Sequence, residues 1–217
     1  MTVRMFGRLA MAALVSALAW ISAAPLALAA NQDAEAFTQR VINEGLSILR
    51  GGSATSPQFH NFLSKYADAT KAAMFTLGPF RRGANKADLE AFTDAYREYQ
   101  FALYGRSLDK YKDKSLHVTG SVENQANDIT VDTVVQNGGH SGGSDNALRI
   151  SFRLMGSSGD YKFTDVRIEG AWISQSELEQ FRSILGRNGG NIPDLTREIE
   201  ERTQHINSGE ETDHGHS

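Results

Sequence analysis

The chain has 217 residues, 22 Lys and Arg against 26 Asp and Glu, a formal net charge of −4 and no cysteine. The acidic balance argues against a nucleic-acid binder, whose footprint is basic. The missing cysteines exclude thiol catalysis, thiolate metal sites and disulfide staples, and a chain of this size can bury a core without the last.

The first segment sets the compartment. Arg4 and Arg8 form a short basic region, and no charged residue follows until Asp33. The stretch from Leu9 to Leu28 is mostly Ala, Leu, Val and Ile; Pro25 lies near its end, and Ala27-Leu28-Ala29 has the small-x-small form of a cleavage site. Residues 1–29 therefore read as a signal peptide cleaved near Ala29, although the uncharged stretch is also long enough for a retained anchor. Export follows from the first reading.

Helices come next. Ala34, Phe37, Val41, Leu46 and either Ile48 or Leu49 mark an amphipathic helix that stops at Gly51-Gly52. Ser56-Pro57 starts a second, with serine as cap and proline in the first turn. Its apolar stripe of Phe59, Phe62, Leu63, Tyr66, Ala69 and Met74 continues to Phe75 with no evident break. Asn85 to Asp88 opens a longer helix in which Leu89, Phe92, Tyr96, Tyr99 and Leu103 share a face, and a shorter helical piece through Leu108 and Tyr111 follows Gly105. That aromatic stripe suits either solid core or a ligand wall.

The period then changes to two. Leu116, Val118, Gly120 and Val122 alternate; so do Ile129, Val131, Thr133 and Val135, and then Leu148, Ile150, Phe152 and Leu154. Ser157 to Asp160 turns the chain, and Tyr161 to Glu169 runs back. Ser174-Gln175-Ser176-Glu177 reads as a capping box for a helix carrying Leu178, Phe181, Ile184 and Leu185. Gly189-Gly190-Asn191 separates it from a last helix through Leu195 and Ile199. This order predicts an α+β fold: an antiparallel twisted sheet of about four strands, with N-terminal and C-terminal helices packed on one face. Residues 30–206 read as a single domain. Residues 207–217, with His214 and His216 among Glu210, Glu211 and Asp213, read as a disordered tail and not a metal site.

One motif invites a chemical reading. Gly139-His140-Ser141-Gly142-Gly143 spells G-x-S-x-G, but a nucleophile elbow needs its serine on a strained strand-to-helix turn. Here the pattern lies in a Gly, Ser, Asn and Asp run between two predicted strands, which suits a hairpin loop. His60 and His117 are isolated, and no acid–base pair stands out. Neither catalysis nor a cofactor is expected.

Two groups of fragments carry a resemblance. Leu77-Gly78-Pro79-Phe80, then Leu89-Glu90-Ala91-Phe92-Thr93-Asp94-Ala95-Tyr96 with Tyr99, Tyr104 and Tyr111, resembles the first signature of the MlaC (toluene-tolerance) family of periplasmic phospholipid carriers. Asp165-Val166-Arg167-Ile168-Glu169-Gly170, then Gln180 to Leu185 and Gly189-Gly190, resembles the second. The likeness runs in order from Asp33 to Arg202. Trp172 departs from it, standing where the family has a small hydroxyl residue, and the Gly-rich loop from Asn137 to Ser144 and the His-bearing tail look like additions.

The resemblance implies a periplasmic shuttle that binds phospholipid and makes no bonds. Its implied partners are an inner-membrane ABC transporter with a lipid-binding ring and an outer-membrane lipoprotein complex. Exposing acyl chain to water costs roughly 0.8 kcal/mol per methylene, on the order of 20 kcal/mol for two chains, so the tails need a dry sleeve. On this reading Leu89, Phe92, Tyr96, Tyr99 and Leu103 form one wall of the sleeve. Ile129, Val131, Val135, Leu148, Ile150, Phe152 and Leu154 form the other. Two further readings stay open: a secreted serine esterase using Ser141, and an α+β interaction module with a filled core.

Overall fold

The computed structural model describes residues 24–53, 55–108, 112–136 and 148–208. The GHSGG motif and the tail from residue 209 onward lie outside them. In chain order the elements are helices α1 (Ala24–Gly51), α2 (Pro57–Tyr66) and α3 (Ala69–Thr76), a 3-10 turn (Gly78–Arg81), and helix α4 (Lys86–Leu108). Strands β1 (Ser115–Gln125), β2 (Asp128–Gln136), β3 (Arg149–Met155), β4 (Lys162–Ile168) and β5 (Ala171–Trp172) follow, then helices α5 (Ile173–Arg187) and α6 (Ile192–Ser208). The strands pair antiparallel in the order β1-β2-β3-β4-β5.

The alternation of the sequence becomes two chemically opposed sheet faces. Register places Leu116 beside Val135, Ile129 beside Leu154, and Val131 beside Phe152, which is itself beside Val166. All of these point to one side, the inner face, because paired residues share a face. The opposite face carries Asp128 beside Met155, Asp132 beside Ser151, and Arg153 beside Asp165. There Arg153 grips Asp128 with Nε to Oδ1 at 2.9 Å and Nη2 to Oδ2 at 2.5 Å, and Arg167 reaches Asp132 at 3.1 Å. The forked guanidinium holds the Asp128 carboxyl below its ordinary range. Helices α1 and α2 cover the inner face.

Both sheet edges are closed by the helices. The Gln39 carboxamide of α1 donates to the Leu116 carbonyl at 3.0 Å and accepts from the Val118 amide at 2.9 Å, standing in for a neighbouring strand along β1. On the far side, Ala67 bridges Phe163 and the Asp68 amide donates to the Phe163 carbonyl at 2.8 Å. This contact breaks the helix that the apolar stripe made continuous: Ala67 is extended, and Asp68 restarts the chain as the cap of α3 by accepting from the Lys71 amide. The predicted piece after Gly105 merges with α4 as far as Leu108.

The sheet has five strands where about four were expected. Glu169 (φ 48°) and Gly170 (φ 92°) both take positive φ, as a type I′ turn requires, and fold Ala171-Trp172 back on Ile168-Arg167. A two-residue strand has no periodicity to read. The expected capping box is also absent. Helix α5 has Trp172 at its N-cap without a side-chain bond, while Ser174 donates from both its amide and its hydroxyl to Asp165 of β4.

Glu177 is freed for another role. Only 5% exposed, it accepts from the Tyr96 hydroxyl and from Gln100 Nε2, both at 2.6 Å, and so joins α5 to α4. Burial pushes its carboxyl up to about 7 despite those two bonds, with Asp165 adding repulsion. A carboxyl raised in the fold binds its proton more tightly than in the unfolded chain. Stability should therefore fall as pH rises from about 4.5 to about 7, by about 3 kcal/mol. Glu177→Gln should flatten that slope, melting higher than the parent at pH 8 and alike near pH 4.5. Thermal melts across this range check it, and equal slopes in both proteins would refute it.

Candidate functional site

The apolar interior divides into three clusters. The first is wholly helical: Phe92, Ala95, Tyr96 and Tyr99 of α4 pack with Ala73, Leu77, Phe181, Ile184, Leu185, Ile192, Leu195 and Ile199, and Leu89 and Leu103 lie half-buried against it. Its rings meet edge-on, Phe92 to Phe181 at 6.1 Å and Tyr96 to Phe181 at 6.4 Å. The second joins Leu116, Val135 and Ile150 to Ile42, Leu46, Leu49 and Phe59, with Leu148 alongside. The third joins Ile129, Val131 and Leu154 to Ala34 and Tyr161, and Phe152 adjoins both sheet clusters.

The two sets of residues predicted to face each other are thus brought into different clusters. The α4 stripe meets α3, α5 and α6, while the sheet residues meet α1 and α2. The phenols supply a reason. Tyr96 must satisfy its hydroxyl when buried and finds Glu177 on α5, which turns that face of α4 away from the sheet.

What lies against the inner face is a row of aromatic rings that the sequence reading missed as a group. Ring centres run Phe59–Phe62 at 5.6 Å, Phe62–Tyr66 at 5.2 Å, Tyr66–Phe37 at 5.9 Å, Phe37–Phe163 at 5.6 Å and Phe163–Phe152 at 5.3 Å. The row crosses from α2 over α1 to β4 and β3. Phe59 is buried, but Phe62, Tyr66, Phe37, Phe163 and Phe152 are each only half-buried. Helical spacing had flagged Phe37, Phe59, Phe62 and Tyr66 only as separate stripes on two helices. Gly45 seats the row: a Cβ there would meet the Phe62 ring at 2.8 Å, so the bare backbone of α1 lets α2 approach.

This seam differs physically from the helical cluster. Apart from Phe59 on Phe62 its rings meet edge-on or tilted, and their exposed portions are already wet, which lowers the penalty for parting α1 and α2 from the sheet. Two grooves elsewhere, of about 570 and 560 Å³, lie along α5 and α6 and at the turn between them. The first is lined mostly by charged side chains such as Arg187, Asp194, Arg197 and Glu198, and so offers an acyl chain little apolar wall. Among the described residues no group of His, Asp and Glu could hold a metal ion, and no helix is long and apolar enough to cross a membrane.

The family model for the MlaC protein matches residues 38–201. A search of curated proteins finds no match. The fold is similar to that of a phospholipid-binding protein from Ralstonia solanacearum solved in complex with a phospholipid, with a TM-score of 0.66 at 18% identity, covering 81% of this chain and 99% of that one.

Seam and core should respond differently to truncation. Leu154, fully buried, should lose about 2–5 kcal/mol of stability on Leu154→Ala. Phe62→Ala should lose only about 1–2 kcal/mol, because part of the ring already faces water. Chemical denaturation gives both values, and equal losses would make the seam ordinary core.

Proposed function

The chain belongs to the MlaC family, and on that premise we propose that it is a periplasmic phospholipid carrier that holds acyl chains between its sheet and helices α1 and α2. One observation carries the placement: the row of half-buried rings from Phe62 to Phe152 on the only sheet face rich in apolar side chains. A two-chain lipid must hide surface worth on the order of 20 kcal/mol. Ring faces supply large area at low entropy, and a seam that closes on itself keeps the empty carrier from exposing that area.

The structural neighbour's bound phospholipid supports this ligand class. Export is supported by the basic start, the apolar stretch and the Ala27-Leu28-Ala29 signature, with cleavage near Ala29. On this reading the carrier takes lipid between an inner-membrane ABC transporter with a lipid-binding ring and an outer-membrane lipoprotein complex. Each would favour the open seam while docked, since a partner shifts an equilibrium only through differential affinity. No bond is made or broken in the cycle. The esterase alternative receives little support, because the chain leaving β2 returns as its antiparallel neighbour β3, and a nucleophile elbow hands its strand to a helix.

Native mass spectrometry of the full chain purified from cells tests the function: co-purifying masses of phospholipid size are expected. A bare polypeptide mass under gentle conditions would support the ligand-free module instead. The seam has its own test. Phe62→Asp should strip the bound lipid, whereas Leu89→Gln, at the edge of the helical cluster, should leave it in place. The reverse pattern would move the acyl chains to α4.

A further inference from the structure

Cations flank the middle of the aromatic row. Arg40 lies over Phe37, its guanidinium carbon 5.4 Å from the ring centre, and Lys65 Nζ lies 4.6 Å from the centre of the Tyr66 ring. Lys162, next in sequence to Phe163, donates from Nζ to the Lys65 carbonyl at 2.7 Å. Arg40 and Lys65 thus lie on the two rings of the Phe37–Tyr66 contact, while Lys162, placed beside Met155 on the charged face, reaches round the edge of β4 to the end of α2.

The carboxylates nearby are engaged by other donors as well. Glu44 accepts from the Tyr66 hydroxyl at 2.7 Å and sits 3.7 Å from Lys65. Asp68 caps α3 and faces Lys71 at 3.9 Å, and Asp33 accepts from Ser158. Arg40 forms no ion pair among the described residues, so its five N–H donors face water above an apolar ring. A chain with a formal net charge of −4 has thus gathered three cations beside one pair of partly exposed rings.

Cations over ring faces suit an amphiphile. The rings take the apolar portion and the donors take whatever anion is attached to it, and a guanidinium fork matches phosphate oxygens in geometry. We propose that Arg40, Lys65 and Lys162 form the headgroup subsite of this carrier, binding the phosphodiester of an anionic glycerophospholipid whose chains enter the seam past Phe37 and Tyr66. This rests on the carrier reading above. Glu44 is the resident counter-ion: it holds Lys65 in the empty protein and competes with the phosphate for it.

The full chain is incubated with vesicles of phosphatidylglycerol or of phosphatidylcholine with matched acyl chains, and loaded lipid is counted by native mass spectrometry. The parent should load the anionic lipid about tenfold better. Arg40→Gln/Lys65→Gln/Lys162→Gln should lose that preference and load the two lipids alike, with a thermal melt like the parent's showing that it folds. Glu44→Gln should load phosphatidylglycerol better than the parent. Equal preference in parent and triple variant overturns the subsite but leaves the carrier standing; a parent that loads neither lipid overturns both. Two further arms locate the phosphate. Inorganic phosphate that binds the parent and not the triple variant, with lipid loading unchanged, would make the cluster a free-anion site. Loss of vesicle co-sedimentation with loading intact would make it a membrane-docking patch. Either result overturns the headgroup assignment.

Discussion

A pleated sheet sends alternate side chains to opposite faces, and here that geometry sorts apolar from charged residues along β2, β3 and β4. The charged face satisfies itself in place, Arg153 with the buried Asp128 and Arg167 with Asp132 and Ser151, and Asp165 there takes Ser174 of α5. The apolar face cannot satisfy itself this way. Everything else in the fold follows from how that one face is covered, because α1 and α2 are what lie on it.

The cover is joined to the sheet by polar contacts at its edges and by rings in its middle. Gln39 and Glu35 tie α1 to β1, the latter accepting from Ser121 at 2.6 Å, while Ala67 and Asp68 tie the end of α2 to β4. Between those lines the contact is aromatic and incompletely buried. Firm edges with a yielding centre suit a compartment that opens without unfolding, since hydrogen bonds are directional and ring contacts are not. The helical cluster plays the opposite part. Its rings are buried, and a hydrogen-bonded buried carboxylate, Glu177, fixes α4 to α5. Asp165 extends the connection to β4 through Ser174.

The rings over the inner sheet face and the cations beside them form one amphiphilic arrangement, apolar ring faces flanked by guanidinium and ammonium groups. The one carboxyl pushed up to about 7 is enclosed by Tyr96 and Gln100, where it holds two helices together.

Much of this was legible in the residues. Period two gave strands β1 to β4 and the inner face of β2 and β3, although a bulge between Val118 and Gly120 turns Val122 outward; helical spacing gave α1, α4, α5 and α6, and two short signatures pointed to the family that residues 38–201 match. Local physics suffices there, because a side chain's face depends only on its place in a regular backbone. Other features needed partners distant in sequence. The stripe from Phe59 to Met74 cannot reveal that Phe163 pulls Ala67 into an extended bridge, nor can Ser174 and Glu177, spaced as a capping box, reveal that Asp165 and Tyr96 claim them. Sequence determined that apolar faces exist and where they lie along each element. Only the tertiary structure decided which face meets which, directing the α4 stripe to α5 and α6 and leaving Phe37, Phe62 and Tyr66 to cover the sheet, because burial is satisfied by any apolar partner while a buried hydroxyl or carboxylate accepts few.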